Sequence, residues 1–197
     1  MSLTTLDIKE PGLNILPPGV ERHVVNAGGL TGLQIFPDDE IEIINDEGNQ
    51  ICEIICFDKD GKSELAILSL KENSNTSFIK EILKKKDESS LATNFQLKKR
   101  NLDLDKSHSS ILFDEKTPSG EKIKLKSKDK CYVIFSAPQN DMLVSEQNPS
   151  GDLILFVKRA KITNDKELSI IPDPIFEPHY EKNIDRQTAI SFQVKEG

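Results

Sequence analysis

Polar and apolar residues alternate from Glu40 to Ile43, and a more apolar run follows from Gln50 to Phe57. Both patterns are those of β-strands. Asn45-Asp46-Glu47-Gly48-Asn49 lies between them and holds residues that tolerate left-handed backbone angles, which predicts a hairpin with a five-residue loop. Upstream, Ala27-Gly28-Gly29-Leu30-Thr31-Gly32 feeds an expected strand over Leu33–Phe36. A glycine loop that cradles phosphate feeds a helix N-terminus instead, so this one reads as a tight turn or bulge. Asp58-Lys59-Asp60-Gly61-Lys62 predicts a second turn, before a short apolar run over Leu65–Leu70. The clearest helix follows. Thr76 or Ser77 can cap it, Phe78, Ile79, Ile82 and Leu83 share one face, and Lys84 to Lys86 suit its C-terminal dipole. Ser89–Leu97 fits a second short helix or a strand equally well. Ile111–Phe113 predicts the start of a hairpin turning at Thr117-Pro118-Ser119-Gly120, and Cys131–Phe135 and Leu153–Val157 predict two further strands. Between that turn and Cys131, Lys122, Lys124, Lys126, Lys128 and Lys130 occupy alternate positions, the signature of an edge strand guarded against sheet-to-sheet association; a polyanion site is the rival reading. The fold class expected is mainly β, a β-sandwich or distorted barrel with one or two short helices.

Proline placement divides the chain. Residues 1–21, with Pro11-Gly12 and Pro17-Pro18-Gly19, read as an extended N-terminal arm, because proline supplies no backbone donor and biases its predecessor away from helix. Residues 22–163 form the β domain. Pro172, Pro174 and Pro178 lie in a charged, sparsely apolar linker over 164–186. Residues 187–197 read as the truncated start of a following module, since Ala189–Val194 alternates like a strand and Lys195-Glu196-Gly197 ends the sequence where a partner strand is expected.

The 197 residues carry 26 Lys plus Arg against 33 Asp plus Glu, a net charge of -7. This argues against general adhesion to nucleic acid or anionic membranes. No apolar run approaches the roughly 20 residues of a membrane helix, and the N-terminus lacks a basic and apolar leader, so a cytoplasmic location is expected. Cys52 and Cys56 share a strand face at a separation of about 13 Å, too far for a disulfide or a common metal. All three cysteines are expected as small core residues in a reducing compartment.

Candidate chemistry is sparse. His23, His108 and His179 fall in no metal-binding or protease motif, and no nucleophile elbow is present. Asp38-Asp39-Glu40 and Asp114-Glu115 read as charged turns. Glu53 differs, being the charged residue inside the apolar run Ile51–Phe57: it must face solvent or be buried and paired, and a structural ion pair is expected ahead of catalysis. The enzymatic alternative groups Glu53, Asp141 and Arg22 around a concave pocket in which the Glu53 pKa is raised.

Asp38-Asp39, Ile41–Ile44, Asp46-Glu47-Gly48-Asn49-Gln50, Glu53 and Phe57 resemble the opening of the urea carboxylase-associated protein family. Lys128-Asp129, Tyr132-Val133, Asp141-Met142-Leu143-Val144 and Leu153–Val157 are similar to its closing strands. The resemblance covers both ends of 22–160. The middle section departs from the family: its His-Asp pair, Asn-Cys pair and late Cys-Pro have no counterparts, and Ser145-Glu146-Gln147-Asn148-Pro149 stands near the place of the Cys-Pro. Neither zinc-ligand nor catalytic positions carry over, so the resemblance implies a shortened, degenerate copy with no metal or cofactor of its own. Sequences of this kind continue through a complete copy into an aminomethyltransferase domain of the glycine cleavage T-protein type, which uses tetrahydrofolate. The implied role is a non-catalytic accessory N-terminal domain of such a polypeptide, its partners being the domains that follow. The alternative is a small-molecule-binding or hydrolytic domain acting on urea- or guanidine-like compounds.

Overall fold

Two sheets of four antiparallel strands and two short helices make up the described part of the computed structural model, which covers residues 16–74, 77–84, 88–139 and 150–160. In chain order the elements are β1 (Val20–Val25), β2 (Gly29–Ile35), β3 (Glu40–Asn45), β4 (Cys52–Asp58), a 3-10 turn over Leu65–Leu68, α1 (Phe78–Lys84), α2 (Glu88–Lys99), β5 (Ser109–Phe113), β6 (Glu121–Lys126), β7 (Cys131–Ala137) and β8 (Leu153–Lys158). The outer sheet runs β1-β8-β3-β6 and the central sheet β2-β7-β4-β5. This is the sandwich expected, with its helices segregated to one side.

Period-two alternation sends Val25, Ile41, Ile43, Leu153, Leu155 and Val157 of the outer sheet against Leu33, Ile35, Ile54, Val133 and Phe135 of the central sheet. The opposite face of the central sheet presents Leu30, Ile55, Phe57 and Ile134 to Ile79, Ile82 and Leu83 of α1 and Leu97 of α2. The central sheet is therefore covered on both faces, and a strand so covered loses its alternation and becomes continuously apolar. That is why β4 is buried along nearly its whole length while β3 shows polar residues to solvent.

The hairpins expected at Asn45–Asn49 and Thr117–Gly120 are not formed. β3 pairs with β6 and β8, whereas β4 pairs with β5 and β7, so Asn45–Asn49 climbs from one sheet to the other. β5 and β6 likewise lie in different sheets. The turn chemistry itself is as predicted, with Gly48 at φ +80° and Asn49 at φ +57°. Left-handed residues reverse a chain equally well within a sheet or between sheets, and long-range bonds decide between the two. The two arches lie side by side: Asn49 N–H donates to Thr117 O (2.7 Å) and Gly120 N–H to Asn45 O (2.8 Å). A Cβ on Gly48 would meet the Ser119 backbone nitrogen at 2.6 Å, so this glycine serves both backbone angle and close approach. The buried Gln50 amide completes the knot, donating to Pro138 O (2.8 Å) and accepting from Gly151 N–H (2.9 Å).

Other boundaries shift. β1 takes in Val20 and Glu21, which the sequence reading assigned to the arm, after a turn at Pro18-Gly19. β2 begins at Gly29, directly after a tight Asn26–Gly29 turn. Ser77 caps α1, its hydroxyl accepting from Lys80 N–H at 3.3 Å. The undecided segment is helix α2. Its sequence pattern was ambiguous because the buried face is largely polar, Ser90, Thr93 and Gln96 beside Leu97, while Leu91 and Phe95 point to solvent. The polar face has a purpose: Ser90 Oγ donates to Ile82 O (3.1 Å) and Asn94 Nδ2 to Leu83 O (2.8 Å), satisfying carbonyls that the end of α1 leaves open.

β6 is an edge strand, as the lysine spacing predicts. The strand ends at Lys126, however, so Lys128 and Lys130 belong to the following turn rather than to a five-lysine face. Lys124 pairs with Glu42 (3.3 Å) and Lys126 with Asp38 (3.0 Å), which draws the stripe away from any polyanion. Residues 1–15, Thr76, Lys85, Lys86, the segment 140–149 with Asp141, the linker and the following module lie outside the described residues.

Candidate functional site

Glu53 is the buried carboxylate of the helix-facing core. Strand alternation turns it away from Cys52 and Ile54 and toward α1, and the register sets it opposite Ser136 of β7. Its side chain is fully buried. Oε2 accepts from Ile79 N–H at 2.7 Å and from the Ser136 hydroxyl at 3.4 Å. Ser77 and Ser109 stand alongside and also favour the charged form, but no aligned hydrogen bond reaches Oε1. Burial raises the Glu53 pKa, and the bonds from Ile79 and the serines pull it only part of the way back. Of the two positions open to it, solvent or interior, Glu53 takes the interior, and the ion pair expected there is not formed. Its partners are the first turn of a helix and a serine cluster, with no cation among them.

The enzymatic grouping does not assemble among the described residues. Arg22 is exposed on β1 of the outer sheet, with the inter-sheet core between it and Glu53, and Asp141 is outside the described residues. A cleft of about 420 Å³ opens between α1, α2 and the chain that follows, lined by Lys80, Leu83, Asn94, Leu97, Leu102 and Leu104. Another of about 260 Å³ is lined by Ile51, Phe78, Ile111, Asp114, Glu115 and Lys116. Glu53 lines neither. In the first, Lys80 Nζ is held by the carbonyls of Ser107 (2.9 Å) and Asp105 (3.3 Å), which blunts it as a ligand for an anion.

A second polar cluster closes the inter-sheet core at its opposite edge. Arg159, immediately after β8, makes a two-pronged contact with Glu21, Nε to Oε1 and Nη2 to Oε2, each at 2.8 Å. Its Nη1 donates to Asp39 Oδ2 (2.7 Å) and Gln34 O (3.0 Å). The guanidinium carbon lies 5.8 Å from the centre of the Phe36 ring. Asp39 also accepts from Phe36 N–H (3.0 Å) and Ala160 N–H (2.9 Å), and His23 Nε2 sits 3.1 Å from Glu21 Oε2. Burial by itself would raise the Glu21 pKa; hydrogen bonds from His23 and Arg159, with the arginine charge, outweigh it and hold the group at about 2. Asp39 is thus a buried anchor and not the charged surface turn expected, because its neighbour Asp38 takes the solvent position. Each guanidinium nitrogen of Arg159 is engaged, so the cluster is a clasp between β1, the end of β8 and the β2–β3 connection. The spacing Glu21-x-His23 on one strand face was the available signal for half of it. Nothing local tied Glu21 to Arg159, 138 positions away.

His108 is half-exposed, 2.9 Å from Glu72, and His179 is outside the described residues. No group of three or more His, Cys, Asp or Glu side chains capable of holding a metal occurs among the described residues. None of the described helices is long and apolar enough to cross a membrane.

No protein-family model matches the chain, and no solved structure matches it. Among curated proteins it is similar to the trimethylamine-oxide aldolase of Ruegeria pomeroyi, 30% identical over 190 residues. That alignment takes in 96% of this chain and 24% of the relative, so the chain spans about a quarter of the length of the protein it matches.

Proposed function

We propose that this chain is a non-catalytic accessory domain of a larger, folate-dependent polypeptide of the aminomethyltransferase type, one that acts on trimethylamine oxide or a close methylamine. The observation that carries the reading is the lopsided alignment, nearly all of this chain against a quarter of a trimethylamine-oxide aldolase. The resemblance to the urea carboxylase-associated family gains support from the pairing of its two framing segments: β3 lies against β8 and β4 against β7, so the opening and closing strands hold each other in both sheets. The middle section is where a degenerate copy would have lost its reactive groups, and here it supplies the helices, β5 and β6. On this reading tetrahydrofolate belongs to the remainder of the polypeptide, this domain binds none, and the whole works in the cytoplasm, as three free buried cysteines favour. Leu91 and Phe95, exposed one helical turn apart on α2, supply an apolar docking face toward the remaining domains.

The test is turnover of trimethylamine oxide by the intact polypeptide, by the same polypeptide carrying Glu53→Gln, and by this domain alone. Activity confined to the first two, and equal in them, is the expected result. Turnover by the isolated domain, or stoichiometric zinc bound to its side chains, overturns the proposal. The raised pKa of Glu53 favours a second reading, a binder or hydrolase of urea- or guanidine-like compounds. It requires Glu53→Gln to abolish ligand binding or hydrolysis by the domain itself.

A further inference from the structure

Three cysteines lie in the inter-sheet core, all free and all fully buried, but they are not equivalent. The register of β4 against β7 sets Cys56 opposite Val133 and Asp58 opposite Cys131. Cys56 and Cys131 are therefore diagonal neighbours on the same face of adjacent strands. Each thiol is the largest influence on the other's ionisation, as side chains facing one another across a strand pair would be. The Ser127 hydroxyl lies 3.5 Å from Cys131 Sγ on the other side. Cys52 shares the face and the burial but has no thiol beside it: on this strand it stands four residues from Cys56.

We propose that Cys56 and Cys131 are a redox pair, converted by a hydroperoxide to a disulfide that staples β4 to β7 and returned to thiols by a dithiol reductant. Diagonal Cα atoms on neighbouring strands stand roughly 7–8 Å apart with their Cβ atoms nearer, so a bond of roughly 2.05 Å between the two sulfurs requires the strands to draw together by about 1 Å. The chemistry is directional. A hydrogen bond from Cys56 S–H, joined by one from Ser127, favours the thiolate at Cys131 over burial, whereas Cys56 is held protonated. The Cys131 thiolate attacks the peroxide oxygen, the O–O bond breaks, and a sulfenic acid forms with release of water or alcohol. Cys56 sulfur then displaces hydroxide from that sulfenic sulfur, its own proton leaving with it as a second water. Two electrons pass from the two thiols to one peroxide. Cys131 is the first residue of β7, directly after the exposed Lys128-Asp129 turn, so a small oxidant has one short segment to displace. In reverse, a dithiol reductant attacks the disulfide and carries both electrons away.

The test uses the native chain exposed to hydrogen peroxide, quenched, alkylated while unfolded, and mapped by non-reducing peptide mass spectrometry. The expected product is one cross-linked peptide joining Cys56 to Cys131, lighter by two hydrogens, with Cys52 still alkylated. A rise in the denaturation midpoint should accompany it, and dithiothreitol should reverse both. Cys52→Ser should leave the cross-link unchanged. Cys56→Ser should abolish it and leave Cys131 as a sulfenic acid trapped by dimedone; if that variant fails to fold, the mapping of the native chain decides alone. Oxidation spread evenly over the three cysteines, over-oxidation of Cys131 with Cys56 still free, or no reaction short of global unfolding would each reduce the pair to core packing.

Discussion

Two carboxylates, the part-buried Glu21 and the fully buried Glu53, show how differently one fold can treat the same side chain. Glu21 lies at the edge of the inter-sheet core, locked to Arg159, and its pKa falls to about 2. Glu53 lies in the core beneath the helices, held by backbone and hydroxyl donors, and its pKa rises. Neutral donors, however well placed, do not replace a full positive charge when water is removed. The contrast also separates two roles: the clasp fixes strand ends to one another, while Glu53 secures a helix to a sheet.

Removing the cation should break the comparison most severely. Arg159→Met leaves the buried Asp39 and the part-buried Glu21 without their guanidinium, and denaturant unfolding at pH 7 should show a loss of about 3–5 kcal/mol. A loss below about 1 kcal/mol would mean the clasp is solvated and weak. Next comes Glu53→Ala, which strands the Ile79 N–H and should lose about 1–3 kcal/mol, whereas Glu53→Gln keeps an acceptor and should match or exceed the wild type. If glutamine is as damaging as alanine, the charge itself holds α1 in place. Ser77→Ala, which removes the α1 cap, should be milder, about 1 kcal/mol by the same measurement.

The pH profiles sharpen the contrast because their signs are opposite. For Glu21 the folded pKa lies below the unfolded value of 4.5, so its stabilisation is complete above 4.5 and is lost as pH falls toward about 2. For Glu53 the folded pKa lies above 4.5; the native state binds the extra proton, and stability declines as pH rises from 4.5 through the folded value. Unfolding of wild type and Glu53→Gln across this range should therefore show the variant's advantage growing with pH. The smallest effect belongs to the outer sheet: Lys124→Ala and Lys126→Ala remove solvent-exposed pairs and should leave the unfolding midpoint unchanged within error at physiological salt.

Much of this architecture was legible in sequence, for reasons that also explain what was not. Alternation at Glu40–Ile43 and the runs at Cys131–Phe135 and Leu153–Val157 marked strands because burial on a pleated sheet has period two. The lysine spacing marked an edge because only an edge strand can keep its charges solvated. Pairing is a different matter: Gly48 and Asn49 announce a reversal, but whether β4 returns to β3 or crosses to β7 depends on bonds to Thr117 and Pro138. Helix α2 was ambiguous because its inward face caps α1 with polar groups. The Arg159 clasp was invisible for another reason, its members being distant in sequence and adjacent only in space.

The crossing of the short connections between sheets has a consequence for how this chain reaches its structure. Of the strands described, only β4 and β5 are both consecutive and paired, and the connection from Asp58 to Ser109 that joins them contains both helices. None of the described strands thus finds its neighbour through a tight local loop, and the encounter of segments far apart in sequence sets the pace. Such a topology implies slow, all-at-once assembly in which the earliest stable nucleus must already draw on both ends of the domain.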